Sequence, residues 1–249
     1  MQVVQAGLLA GAGLVAGTVN TIAGAGSLLT FPALLAAGLS PLSANVTNCL
    51  GVVPGSASGA YGMRDQLAGL RPVLLRLSLW AGAGSVVGAV LLLQVPGGFE
   101  QVVPVLVALA GLLVVGQPLV VRLAGRTSAT RSSRATGPAL GAVSIYSGYF
   151  GAAQGVMMVG VLGVLTSHPL RRANAVKNVL SVAANGVAGL VFAVVAPVDW
   201  AAVLLLAVGS ACGGPVGAAL SRRIPAGPLR LGIAAVALVV AVRLALDAW

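Results

Sequence analysis

Residues 20–27, Asn-Thr-Ile-Ala-Gly-Ala-Gly-Ser, interrupt the first apolar segment of the chain. Glycine weakens a helix and lets the backbone turn or approach a ligand closely, so this stretch predicts a break between two helical legs. The legs, at about 4–19 and 27–38, are short for full membrane spans. A second stretch, Gly-Tyr-Phe-Gly-Ala-Ala-Gln-Gly at 148–155, interrupts another apolar segment in the same way.

The two breaks belong to a longer internal repeat. Three sets of residues recur about 130 positions later with their inner spacing preserved: Gly17, Asn20 and Gly24 as Gly148, Gly151 and Gly155; Asn48 and Gly59 as Asn178 and Gly189; Gly84 and Gly88 as Gly213 and Gly217. This recurrence indicates a duplication. We predict a first repeat at 1–121, a basic cytoplasmic linker at 122–137 and a second repeat at 138–249, which together form one transmembrane domain.

The composition places these repeats in a membrane. The chain is 58% hydrophobic and only 7% charged, and a soluble domain could not bury so much apolar surface. Six segments are long enough to span a bilayer, at about 44–62, 72–94, 101–121, 177–196, 200–220 and 228–248. They lack the alternation of barrel strands, so the predicted class is an all-α integral membrane protein.

The basic residues indicate topology and argue against a nucleic-acid partner. Although the net charge is +10, twelve of the fourteen Arg and Lys residues lie in four short loops or helix ends. These twelve are Arg64 and Arg71; Arg122, Arg126, Arg131 and Arg134; Arg171, Arg172 and Lys177; Arg222, Arg223 and Arg230. The loops around 39–43, 95–101 and 197–200 carry none. This is the positive-inside pattern of a multi-pass protein of the inner (plasma) membrane.

Corresponding loops of the two repeats carry opposite charge character. The loop after Gly38 has no basic residue and its counterpart at 167–177 has three, whereas the loop at 64–71 has two and its counterpart at 197–200 has none. We therefore predict two inverted-topology repeats, a pattern found in many secondary transporters. Each would be a broken or re-entrant helical hairpin followed by three transmembrane helices, with both termini outside.

Broken helices in a membrane create anion sites, because the half-helix after a break directs unpaired N–H groups and its positive dipole end at the gap. The predicted substrate-binding residues are Asn20, Thr21, Gly24, Gly26, Ser27, Asn48, Gly151, Gln154, Gly155, Lys177, Asn178 and Asn185. As alternatives, the glycines serve only close helix packing and the asparagines only tie helices together. Lys177 is interpreted as a lysine at the cytoplasmic edge, the alternative being that it attracts an anion into the inner vestibule.

Several of these motifs resemble the sulfite exporter TauE/SafE family. They are the glycine-rich stretch at 17–26, Pro32 with the Leu-Ser-Pro turn at 39–41, the motif at 44–48 and its copy ending in Lys177 and Asn178, and Val-Asp-Trp at 198–200. The resemblance covers about residues 7–240. It implies a membrane transporter that moves small sulfur oxyanions or organosulfonates, mainly outward.

The expected function is export of a small sulfur-containing anion, sulfite or an organosulfonate, by alternating access. The four carboxylates, Asp65, Glu100, Asp199 and Asp247, lie at predicted loops or ends, and we expect no catalytic residues, metal or cofactor. The expected partners are the small anionic substrate and the lipid bilayer, with a homo-oligomer possible. The alternatives are a transporter or channel for another small solute and a non-transporting membrane partner protein.

Overall fold

The protein is helical throughout the part that the structure describes. This computed structural model describes residues 3–94, 96–126, 133–166, 169–221 and 226–248, and it contains no strand in those ranges. The predicted basic positions Arg131, Arg222 and Arg223 lie outside them. The helices are α1 Val3–Ala23, α2 Ser27–Ala36, α3 Pro41–Gly51, α4 Val53–Gly62, a 3-10 helix Arg64–Leu67, α5 Arg71–Gln94, α6 Pro96–Arg126, α7 Ser133–Tyr149, α8 Gln154–Leu165, α9 Leu170–Val195, α10 Trp200–Leu220 and α11 Ala226–Ala248.

Among the residues that the structure describes, five helices are long and apolar enough to cross a membrane. The spans are Val4–Ala23, Arg71–Gln94, Gly98–Leu119, Leu170–Val195 and Trp200–Leu220. Three shorter apolar helices accompany them, at Ser27–Ala36, Gln154–Leu165 and Leu231–Leu246. The predicted all-α membrane class is therefore confirmed in its helical content and its membrane-length segments.

The first leg is longer than predicted, and the prediction that it is too short to span was wrong. Helix α1 continues to Ala23, and Gly24 N still donates to Asn20 O at 2.9 Å. The chain leaves the helix at Gly24, whose φ of +78° favours glycine. The first break is therefore confined to residues 24–26, and Asn20 lies in the last turn of α1.

The segment predicted as one span at 44–62 is instead two helices, α3 and α4, which meet at Val52. Pro54 explains the division, because proline has no N–H to donate within a helix and its ring crowds the preceding turn. Helix α3 also begins earlier than predicted, since Ser40 Oγ accepts from Ser43 N at 3.3 Å and caps it. Helix α9 likewise begins at Leu170 rather than at 177.

Helices from the two halves pack in reciprocal pairs through glycines. Helix α1 packs on α10, and α5 packs on α7. A Cβ added to Gly88 of α5 would lie 1.9 Å from Ile145 O, and one added to Gly213 of α10 would lie 2.1 Å from Leu14 O. Because lipid gives helices no hydrophobic reason to associate, such close backbone contact is the main source of packing energy in a membrane.

Two hydrogen bonds between the halves connect regions of like charge character. Ser43 Oγ donates to Pro197 O at 2.7 Å, which joins two loops without basic residues. Arg172 donates to Ala68 O at 3.0 Å, which joins two basic loops. Each of these two contacts therefore brings together loops of the same charge character.

We expect Gly88→Ala and Gly213→Ala to destabilise the fold by about 1–3 kcal/mol each, because the added methyl overlaps a backbone carbonyl that cannot move independently. The measurement is thermal unfolding of purified protein in detergent. Gly116→Ala and Gly186→Ala are matched controls, since no atom lies within 4 Å of a Cβ at either position. Equal melting temperatures for all four variants would contradict the packing role of the glycines.

Candidate functional site

The two helix breaks contact each other directly. A Cβ on Gly155 would lie 2.6 Å from Gly24 Cα, and a Cβ on Gly24 would lie 2.7 Å from the carbonyl carbon of Gly155. Ser27 Oγ, at the start of α2, donates to Gly151 O at 3.3 Å. Gly151 has a φ of +73° and therefore turns the second break as Gly24 turns the first. The glycines allow two irregular backbones to approach where side chains would hold them apart.

Two asparagines, one for each break, bond the end of the helix that precedes the break. Asn45 Nδ2 donates to Tyr149 O at 2.9 Å, and Asn174 Nδ2 donates to Ile22 O at 3.1 Å. The last carbonyls of a helix have no N–H partner within it, and in a membrane water does not replace one. Each asparagine therefore supplies a donor from the opposite half. Neither was among the predicted site residues, although each is the first asparagine of the repeated motif.

A narrow polar cavity lies beside the breaks. We call it the break cavity; its lining is Ser27, Asn45, Asn48, Cys49, Val52, Ser147, Gly148, Phe150, Gly151, Asn185 and Phe192. Ser27 is the first residue of α2, so the positive end of that helix dipole lies at the cavity. None of the lining residues is acidic. The cavity thus offers hydroxyl, amide and helix-end groups, which suit an anion.

Two cavity side chains differ in how their hydrogen bonds are satisfied. Ser147 is 3% exposed, and its Oγ has no hydrogen-bond partner. Asn48 Oδ1 accepts from Thr30 Oγ1 at 2.5 Å, which fixes the amide by its carbonyl oxygen and leaves the Nδ2 group as its donor. Because a buried polar group without a partner is costly, Ser147 marks a place where a ligand or water completes the structure.

Lys177 lies at the contact between the breaks, and its interpretation as a residue of the cytoplasmic edge was wrong. It is fully buried, its Nζ donates to Asn20 O, and its Cδ would lie 2.8 Å from a Cβ on Gly155. The reason is the early start of α9 at Leu170, which places Lys177 about two turns inside the helix. A cation therefore lies at the end of α1, close to the start of α8.

Several buried polar atoms without hydrogen-bond partners belong to residues near Lys177, on the same face of α9 and in the first turn of α8. Residues 174, 177, 178 and 181 share one face of α9 by helical spacing. The atoms without partners are Asn174 Oδ1, Asn178 Oδ1, Ser181 Oγ and, in the first turn of α8, Gln154 Oε1. We call Lys177 with Asn20, Gln154, Asn174, Asn178 and Ser181 the lysine cluster.

The remaining predicted residues divide between these two groups and the helix contacts. Ser27, Asn48, Gly151 and Asn185 line the break cavity, while Asn20, Gln154, Lys177 and Asn178 belong to the lysine cluster. Thr21 Oγ1 donates to Gly17 O at 2.9 Å, and a Cβ on Gly26 would lie 2.2 Å from Ala16 O, so both are engaged in helix contacts. Substrate binding by each predicted residue stays a prediction.

Metal chemistry has no candidate site in the described ranges, where no three His, Cys, Asp or Glu side chains come close enough together to hold an ion. The polar groups that converge are instead amides, hydroxyls, backbone carbonyls and one ammonium group.

Comparison with known proteins gives consistent results over most of the chain. The family model described as Sulfite exporter TauE/SafE matches residues 9–244. Probable membrane transporter protein YfcA of Escherichia coli K12 is 32% identical over 86% of this chain and 80% of its own length. A probable membrane transporter protein of Haemophilus influenzae is 29% identical over 83% and 81%, and probable membrane transporter protein ORF9 of a Sinorhizobium species is 28% identical over 95% and 90%. No solved structure matches the chain.

We expect Asn45→Ala and Asn174→Ala each to lower the free energy of unfolding by about 1–3 kcal/mol, because each leaves a helix-end carbonyl without its donor. Thermal unfolding in detergent measures the effect. Gln66→Ala is the control, since its side chain bonds only the neighbouring Asp65 at an exposed turn. If both asparagine variants had the same melting temperature as the control, the asparagines would not stabilise the helix ends at the breaks.

Proposed function

Because the chain belongs to the sulfite exporter TauE/SafE family and is a membrane transporter, we propose that it exports a small sulfur-containing anion, sulfite or an organosulfonate, by alternating access. The family to which the chain belongs and the polar groups at the breaks support this class of cargo. The names of the relatives specify a membrane transporter and no cargo. The protein acts in the inner membrane, and its exposed apolar side chains suit contact with lipid.

The observation that carries this proposal is the meeting of the two breaks beside a polar cavity. Ser27, Asn48 and Ser147 offer donors in the break cavity, and Lys177 lies next to Gly155 at the contact between the breaks. Donors held by a folded backbone and shielded from water stabilise an anion more strongly than water-exposed ones do. We propose that the predicted site residues act here, at the helix N-termini of α2 and α8.

We also propose that the two halves are inverted repeats, each a helical hairpin followed by three transmembrane helices. The reciprocal packing of α1 on α10 and of α7 on α5 supports this arrangement. So does the exchange of asparagine donors, in which Asn45 serves the second break and Asn174 the first. Alternating access would then consist of movement of these reciprocal pairs around the paired breaks.

Export is the direction that the membrane potential favours. A negative interior favours departure of an anion by about 2.3 kcal/mol per charge per 100 mV. A monoanion can therefore leave without a coupling ion, whereas its uptake would need one. Asp65 and Glu100 are exposed, and Asp199 caps α10 by accepting from Ala202 N, so these carboxylates have positions other than the break cavity.

Counterflow into proteoliposomes tests the cargo. We expect radiolabelled sulfite or a small sulfonate to exchange, and Asn48→Ala and Asn178→Ala to weaken binding by about 1–3 kcal/mol each through the loss of a buried partner. Ser43→Ala is the control, because Ser43 bonds Pro197 O away from the breaks. Exchange of no sulfur anion by folded wild-type protein would refute the cargo, and unchanged affinity in both asparagine variants would place its site elsewhere.

Single-cysteine labelling tests the topology. In a background with Cys49 and Cys212 replaced, we expect Ala68→Cys to react only after inner-face access and Pro197→Cys to react from outside intact cells, since the basic loops should be cytoplasmic. The opposite labelling pattern would reverse the proposed orientation and place both termini inside.

A further inference from the structure

Lys177 is a buried cation whose only protein partner in the described chain is a backbone carbonyl. Its ammonium has three N–H donors, and it uses one of them on Asn20 O, which also accepts from Gly24 N. Among the carboxylates, Asp65 lies on an element packed against α9, the 3-10 helix, but is exposed. The charge of Lys177 is therefore not neutralised by an ion pair in the described residues.

An isolated buried charge is unfavourable unless a counter-charge accompanies it. From the single ammonium at the paired breaks we infer that Lys177 makes the transporter selective for a monoanion over a dianion of similar size. One negative charge gives a neutral loaded site, whereas two leave a net negative charge buried in the same place. The inference rests on the proposed function, because that function places the anion at the paired breaks, where Lys177 lies.

The groups beside the lysine complete the coordination of an oxyanion. Gln154 and Asn178 are buried amides with an oxygen that lacks a partner, and Ser181 is a buried hydroxyl without one. Rotation of an amide presents its NH₂ group, and the hydroxyl donates its own hydrogen. A sulfonate group, with three oxygens and one charge, uses these donors together with the ammonium.

Asn20 O holds the lysine while the site is empty. When an anion binds, the ammonium turns from this carbonyl to the anion, and the last turn of α1 loses a contact. Occupancy of the site is thereby linked to the first break, because Asn20 and Gly24 are also joined by a backbone hydrogen bond. Lys177 thus binds the anion when the site is loaded and returns to Asn20 O when the site is empty.

The test compares two probes of similar size, methanesulfonate as the monoanion and sulfate as the dianion, by titration calorimetry and thermal shift on the purified full chain. We expect wild type to bind methanesulfonate at least tenfold more tightly than sulfate. Lys177→Arg should keep this preference because it keeps the charge. Lys177→Met keeps a side chain of similar length but removes its charge. We expect this variant to bind methanesulfonate at least tenfold more weakly than wild type and to lose the preference for methanesulfonate over sulfate.

Thermal unfolding without anion separates this role from a purely structural one. Replacing an unpaired buried charge with a hydrophobic side chain should leave the melting temperature of Lys177→Met unchanged or raise it. A lower melting temperature with intact anion selectivity would show a structural tie and overturn the inference. So would equal binding of both probes by wild type, or binding of neither.

The outcomes also separate the inference from the proposed function. Lys177-dependent binding of methanesulfonate by a protein that exchanges no sulfur anion in proteoliposomes would support the monoanion site and refute sulfur-anion export. Sulfite exchange that is unchanged in folded Lys177→Met would support export and overturn the role of the lysine.

Discussion

The structure depends on one requirement, that backbone N–H and C=O groups exposed by a helix break in a membrane find partners within the protein. The chain has two such breaks, and each half of the chain supplies hydrogen-bond donors to the break in the other half. Asn45 bonds the carbonyl of Tyr149, Asn174 bonds that of Ile22, and glycines let the two irregular segments touch. The polar cavity exists because the breaks are held together from both sides, and the helices around them are arranged to allow it.

The sequence predicted the class, the family and the location of the breaks, because these depend on composition and on local glycine patterns. The family model and the relatives confirm the TauE/SafE resemblance. Hydropathy did not predict the division of 44–62 at Val52, because a proline that breaks a helix does not change the average hydropathy of the segment. It also misplaced Lys177, because a charged residue near the end of an apolar run looks the same whether the helix begins before or after it.

The contacts within the site could not be predicted from a fixed repeat offset. That offset made Gly155 the counterpart of Gly24, yet these two glycines contact each other, and the positive φ of Gly24 is matched by Gly151. Helix α1 continues seven residues from Gly17 to its turn at Gly24, whereas α7 turns three residues after Gly148. The difference of four residues is about one helical turn. Aligning the two halves at a constant offset does not reveal that one helix is a turn shorter than the other.

The pairing of α1 with α10 also has a consequence for synthesis of the protein. The groove that Gly13 and Gly17 form on α1 receives a helix that begins at Trp200, so most of the chain must enter the membrane before the groove is filled. Until then lipid covers it, and Ile22 O has no asparagine, because Asn174 has not been made. The first half alone is therefore an incomplete assembly, because both the groove of α1 and Ile22 O lack partners that only the second half supplies.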